Sequence, residues 1–227
     1  MPFSRVVAWR ISATRYRTCC VCYTSEPMKA LTEEVEALVA RVGTHPVWGY
    51  AHCLRVHALA EELAASESLS YDAEILRIAA LLHDVGLYKA YAFREAPDHA
   101  RRSADVAERL LKDGDFPPQA TRAVIDAIVH HPPGVAPAAS AEAALLKDSV
   151  ALDYLGAIGL CRVLAMVGTE EDIPDIPAAL WHAESLRRKI PSLLVYESSK
   201  GIARGRIIEM DDFLRNLRNA TDNLKLL

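Results

Sequence analysis

Residues 71–84 read YDAEILRIAALLHD, and this segment constrains the fold more than any other. From Ile75 to Leu82 it is nearly all apolar. As a helix it has no side to show to water, so other helices must pack around it. Candidates flank it on both sides. Leu31, Val35, Leu38, Val39 and Val42 recur at three- and four-residue spacing behind Thr32, with Glu34 and Glu36 early and Gly43 as the stop. Segments 47–65, 98–112, 117–131, 141–168, 174–189 and 198–226 carry further helical patterns, and Pro132-Pro133 halts the 117–131 segment. No alternating strand pattern and no repeat period is visible. The expected fold is all-α, a compact single-domain helical bundle with its last helices packed on the rest.

Composition agrees with a globular domain. The chain has 227 residues, 51% hydrophobic and 25% charged. The net charge of −4 argues against non-specific nucleic-acid binding as a main task. No apolar run approaches the roughly 20 residues that span a bilayer. Residues 1–27 depart from this pattern, with Arg5, Arg10, Arg15 and Arg17 against Glu26 alone. That gives +3 there, and 22 basic against 29 acidic residues, or −7, in the remainder. Such a stretch fits a targeting leader, and Cys19, Cys20 and Cys22 are metal-ligand types without a second ligand pair. The favoured expectation is an unstructured or mis-assigned extension before a natural start at Met28, with 28–227 as the folded unit. Cys53 and Cys161 fall in apolar helical patterns and are expected to be buried. Five scattered cysteines make no disulfide framework, which points to a reducing cytoplasm.

The chemistry lies in the histidines. His83-Asp84 ends the most apolar helix, a costly place for polar groups. A cationic His suits a helix C-terminus, but a carboxylate does not, and a divalent cation removes that conflict. His52, His99, the pair His130-His131 and Asp148 stand at or near helix ends elsewhere. Imidazole and carboxylate ligands converging from separate elements are what such an ion requires. Lys89, Arg101 and Arg102 follow the His-Asp pair or flank His99, as cations suited to phosphate oxygens. His45, His57 and His182 receive no role.

The order His52, His83-Asp84, Asp148 resembles the HD superfamily of metal-dependent phosphohydrolases over roughly residues 45–168. The stretches His52 to Val56, LLHDVG, DHARRSA, AIVHH and LDYLGAIGLCR resemble small stand-alone bacterial HD hydrolases, some of which are nucleotide pyrophosphohydrolases. The resemblance implies a helical bundle in which His52, His83, Asp84 and a later Asp hold one divalent cation, Mn²⁺, Mg²⁺ or Fe²⁺. One departure matters: Val150 stands where those relatives carry the usual ligand Asp, and Asp148 stands two positions earlier. Asp148 is taken as the fourth ligand, while Asp153 is expected to face away or make a structural hydrogen bond, and Arg55 to form a structural ion pair. His99 and His131 are implied as proton donors beside Asp84, or as holders of a second ion. Lys89, Arg102 and His130 are implied as contacts for substrate phosphate. The expected substrate is a small phosphorylated molecule, a nucleotide first, with no nucleic-acid or membrane partner and scope for a homodimer. Two other readings stand beside this one: a degenerate domain that binds nucleotide without turnover, and a di-iron HD oxygenase.

Overall fold

The computed structural model describes residues 25–91, 98–136 and 139–227. The expectation about the basic leader and its cysteines therefore falls mostly outside the described residues. Within them the chain is all-α, with no strand. The helices are α1 (Ser25–Val42), α2 (Tyr50–Ser66), α3 (Ala73–Leu82), α4 (His99–Asp113), α5 (Pro118–His130), α6 (Ala141–Leu152), α7 (Gly156–Leu164), α8 (Ile176–Lys189) and α9 (Glu197–Ala220). Two short 3-10 helices, Val85–Leu87 and Ile190–Leu193, follow α3 and α8. None of the described helices is long and apolar enough to cross a membrane.

Two buried clusters divide the interior. The first gathers Val35 and Val39 of α1, Val56 of α2, Ile78 and Leu82 of α3, and Leu111, Val124 and Ile128 of α4 and α5. The second gathers Leu59 and Leu63 of α2, Leu145 and Leu152 of α6, Leu160 of α7, Ala183 of α8 and Met210 of α9. Helices α2, α3 and α6 contribute to both clusters. Every residue of α6 from Ala143 to Leu152 is buried, and so is α3 from Ile78 to Leu82, as its apolar sequence requires.

Three features differ from the sequence reading. The helix expected over 141–168 breaks at Asp153–Leu155 and restarts at Gly156, whose φ of +73° only glycine adopts without strain. Helix α1 begins at Ser25, ahead of Met28. Cys53 is buried as expected, but Cys161 is exposed. Position 161 lies on the outer side of the short α7, whose inner side presents Leu160 and Val163.

Gly86 sets how closely α4 approaches the end of α3. A Cβ at this position would stand 2.7 Å from the Ser103 nitrogen and 2.9 Å from the Arg102 carbonyl carbon. The Gly86 N–H donates to Ser103 Oγ across this contact at 3.1 Å. Helix α4 thus lies against the turn that carries Asp84.

Candidate metal centre

His83 occupies the C-cap of α3 and Asp84 precedes the 3-10 helix. The last carbonyls of a helix lack partners within it. His83 uses one: its Nδ1–H donates to the Ala80 carbonyl three residues back, at 2.8 Å. His131, at the C-cap of α5, repeats the arrangement with the Ile128 carbonyl at 2.6 Å. A carbonyl only accepts, so both rings carry the proton on Nδ1 and present an Nε2 lone pair. His52, on the first turn of α2, donates its Nδ1–H to the Asp153 carboxylate at 2.6 Å and presents Nε2 in the same way.

These nitrogens converge on Asp84. The Nε2 atoms of His52 and His83 face each other at 3.1 Å. Asp84 Oδ2 lies 3.6 Å from the first and 3.2 Å from the second. On the other carboxylate oxygen, Oδ1 stands 3.8 Å from His131 Nε2 and 4.0 Å from His99 Nε2, which are 3.3 Å from each other. Two trios therefore share Asp84: His52, His83, Asp84 and His99, His131, Asp84. The first is fully buried, whereas the His99 side chain is 40% exposed.

Charge follows from this crowding. Burial lowers the His52 pKa to about 4, against the hydrogen bond that the ring donates to Asp153. Burial and the neighbouring His83 lower His131 to about 3. Burial opposes charge on His83 as well, but the adjoining Asp84 carboxylate outweighs it and raises its pKa. Asp84 is itself held below the carboxylate range by His83, although burial pushes the other way. Burial thus favours neutral rings at His52 and His131, while the carboxylate of Asp84 works against burial at His83.

The donor set fits a divalent cation. Two imidazole lone pairs aimed at each other repel unless a proton or an ion lies between them. A carboxylate among imidazoles supplies the remaining charge, and the outer nitrogens of His52, His83 and His131 are each fixed by an acceptor, as metal-bound histidines require.

Asp148 is not among these ligands, contrary to the sequence expectation. Both of its oxygens accept from the Val195 N–H at 3.0 Å, and Oδ2 also accepts from the Tyr196 N–H at 3.0 Å. It satisfies orphan donors at the entrance to α9. Val150 is packed in the first core cluster. His130 is likewise turned away from the cluster: its Nδ1 donates to the Asp126 carbonyl at 2.8 Å and lies 3.3 Å from the Asp126 carboxylate, on the outer face of α5. Neighbours on a helix point about 100° apart, and His131 takes the inner direction. Lys89 is exposed beyond the 3-10 helix, and Arg102 lies against Gly86. Asp153 does not face away: it makes a hydrogen bond, the other expectation for it, and Arg55 forms the expected ion pair, with Asp153 itself. The sequence reading missed the link from Asp153 to His52 and the buried Arg162 beside it. The acid Asp153 with Arg55 and Arg162 as cations in the same chain was the only trace of it.

Comparison with known proteins places this geometry. Residues 49–155 match the family model for the HD domain. An HD-superfamily hydrolase from Bacillus thuringiensis is 24% identical, with a TM-score of 0.61 over 86% of this chain and 98% of its own. A structure from Lactobacillus plantarum is 22% identical, with a TM-score of 0.67 over 88% of this chain and 98% of its own. Bacillus subtilis YpgQ, solved in complex with ADP, is 21% identical, with a TM-score of 0.62 over 83% of this chain and 97% of its own. No curated protein matches the sequence. The solved structures share the fold of this chain, and the HD-domain match spans the residues that supply all five members of the His/Asp cluster.

Proposed function

From the premise that this chain belongs to the HD superfamily, we propose that it is a divalent-metal-dependent phosphohydrolase acting on a nucleotide or a related small phosphate ester or anhydride. One observation carries the reading: the facing Nε2 atoms of His52 and His83 at 3.1 Å, with Asp84 Oδ2 beside both. His52, His83 and Asp84 would hold the ion, which when bound supplies Lewis acidity and an acidified water.

The chain's own groups do the rest. Asp84 is aligned by His83 on one oxygen, and its other oxygen faces His131 and His99. It orients a water between the two trios. His99, with its side chain 40% exposed, gives a proton to the leaving-group oxygen. His131, buried behind it at 3.3 Å, holds the His99 ring; with Asp84 the two rings would hold a second ion, a role that excludes proton donation by His99. Lys89 and Arg102 neutralise phosphate oxygens at the entrance. The ADP bound in Bacillus subtilis YpgQ supports a nucleotide as the substrate class. We place the activity in the cytoplasm, on small molecules rather than nucleic acid.

The test is metal content by elemental mass spectrometry, followed by phosphate and pyrophosphate release from a nucleotide panel with added Mn²⁺. About one ion per chain with release supports the hydrolase. Tight nucleotide binding without turnover under any metal replaces it with a binding module. Bound iron with O₂-dependent turnover replaces it with an oxygenase.

A further inference from the structure

The buried imidazoles of the cluster are not fixed in the same way. His83 and His131 stand at helix C-termini and use a carbonyl of their own helix. His52 stands at a helix start, where the carbonyl three residues back, that of Gly49, is already occupied by the His52 and Cys53 N–H groups. Its Nδ1–H has to find an acceptor elsewhere. That acceptor is Asp153, 101 residues along the chain, with Oδ2 at 2.6 Å.

Asp153 is in turn held by two arginines. Arg55 donates through Nε to Oδ1 and through Nη2 to Oδ2, both at 2.9 Å. Arg162 Nη1 forms an ion pair with Oδ2 at 3.1 Å, without the alignment of a hydrogen bond, while its Nε donates to the Val47 carbonyl at 3.0 Å. The break that carries Asp153 is tied to α9: Arg206 donates to the Leu152 carbonyl at 2.6 Å, and the Ala157 N–H donates to Glu209 at 3.0 Å. Arg206 and Glu209 lie beyond the residues that match the HD domain.

We propose that Asp153 is a positioning residue for the metal centre, fixing His52 as the Nδ1–H tautomer with Nε2 turned to His83 and Asp84, and that α9 sets its place through Arg206 and Glu209. The inference rests on the proposed role of His52 as a metal ligand. A carboxylate only accepts, so it admits one tautomer of its partner ring; a carboxamide in its place admits the other.

The test compares the full chain with Asp153→Asn, Asp153→Ala and the Arg206→Ala/Glu209→Ala pair. Long-range ¹⁵N–¹H correlation reads the His52 tautomer in metal-free protein, and calorimetric titration reads Mn²⁺ affinity. We expect Nδ1–H in the wild type and a shift to Nε2–H in both Asp153 variants, with Mn²⁺ affinity lower by about 10- to 100-fold. The α9 pair should lose affinity several-fold while staying folded. If the Asp153 variants lose thermal stability but keep the tautomer and the Mn²⁺ affinity, Asp153 only anchors two arginines and the proposal fails. Unchanged affinity in the α9 pair removes α9 from it. Should the wild type itself take up no Mn²⁺, the metal reading fails, and the metal-free tautomer still reports whether Asp153 positions His52. The isosteric Asp153→Asn keeps the test open if Asp153→Ala does not fold.

Discussion

At the scale of single residues, the site is built from ring nitrogens whose outer atoms are committed before any ligand arrives. His83 and His131 spend Nδ1–H on carbonyls that a helix end leaves orphaned, so their sequence positions at helix ends do chemical work. His99 differs: its side chain is 40% exposed, while the other three rings are buried. His99→Ala should therefore lower turnover by about 10²- to 10⁴-fold, the contribution of a general acid. The tight ion on His52, His83 and Asp84 should remain, read by elemental analysis of the same preparation. Loss of that ion, or full turnover without the imidazole, would remove His99 from this role. The structure brings together His52, His83, Asp84, His99 and His131, which the sequence reading names from the His-Asp pair at the end of the most apolar helix and from the resemblance of the flanking motifs. Asp148 is not among them. On a helix buried on every face, spacing does not say whether a carboxylate points to the cluster or to the backbone ahead of α9. Asp153 escaped for another reason: its partner His52 is distant in sequence, and no periodicity links the two.

At the scale of elements, helix identity was readable from apolar spacing and helix ends were less so. The 141–168 pattern continues through the break at Asp153–Leu155, since Leu152, Leu155, Leu160 and Val163 are all buried in one cluster. What breaks the helix is Gly156 and its contact with α9, a tertiary fact. Gly86, by contrast, is set by close approach. Gly86→Ala would drive a Cβ into the α4 backbone and cost about 1–3 kcal/mol. It would also displace Asp84, so denaturant unfolding should show the loss and Mn²⁺ titration a weaker site. Equal affinity in the variant would show that α4 yields without moving the turn. A second element-level contact ties three helices: Glu36 of α1 accepts from Tyr50 of α2 at 2.6 Å and pairs with Arg77 of α3. The Tyr50 hydrogen bond is the main cause holding Glu36 below its ordinary value of 4.5, with burial opposing and Arg77 assisting. A lowered folded-state pKa contributes stability that is present above the unfolded value and is lost as the pH falls through the folded one. Glu36→Gln should therefore cost about 1.5 kcal/mol at pH 7 and progressively less below about pH 4.5. Urea titrations of both proteins at pH 7 and pH 3 check this, and a constant difference would contradict it.

At the scale of the whole molecule, the candidate ligands come from elements far apart in the chain. His52 belongs to α2, His83-Asp84 to the end of α3, His99 to α4 and His131 to α5. An ion on them joins helices of the first core cluster, while His52 reaches the second through Asp153 and the α6–α7 break. Without an ion, the same place gathers three buried imidazoles around one buried carboxylate. Metal binding and folding are then coupled, because the unfolded chain holds no such site. Free Mn²⁺ at one hundred times its dissociation constant should stabilise the fold by about 2.7 kcal/mol. For a chain of this size that raises the melting temperature by about 5–10 °C over a chelator-treated sample. Asp84→Asn keeps the volume and removes the shared ligand, so its melting temperature should be the same with Mn²⁺ and with chelator. A shift that persists in Asp84→Asn would mean that Mn²⁺ stabilises the chain from another place, and the cluster would then be a buried polar network rather than a metal centre.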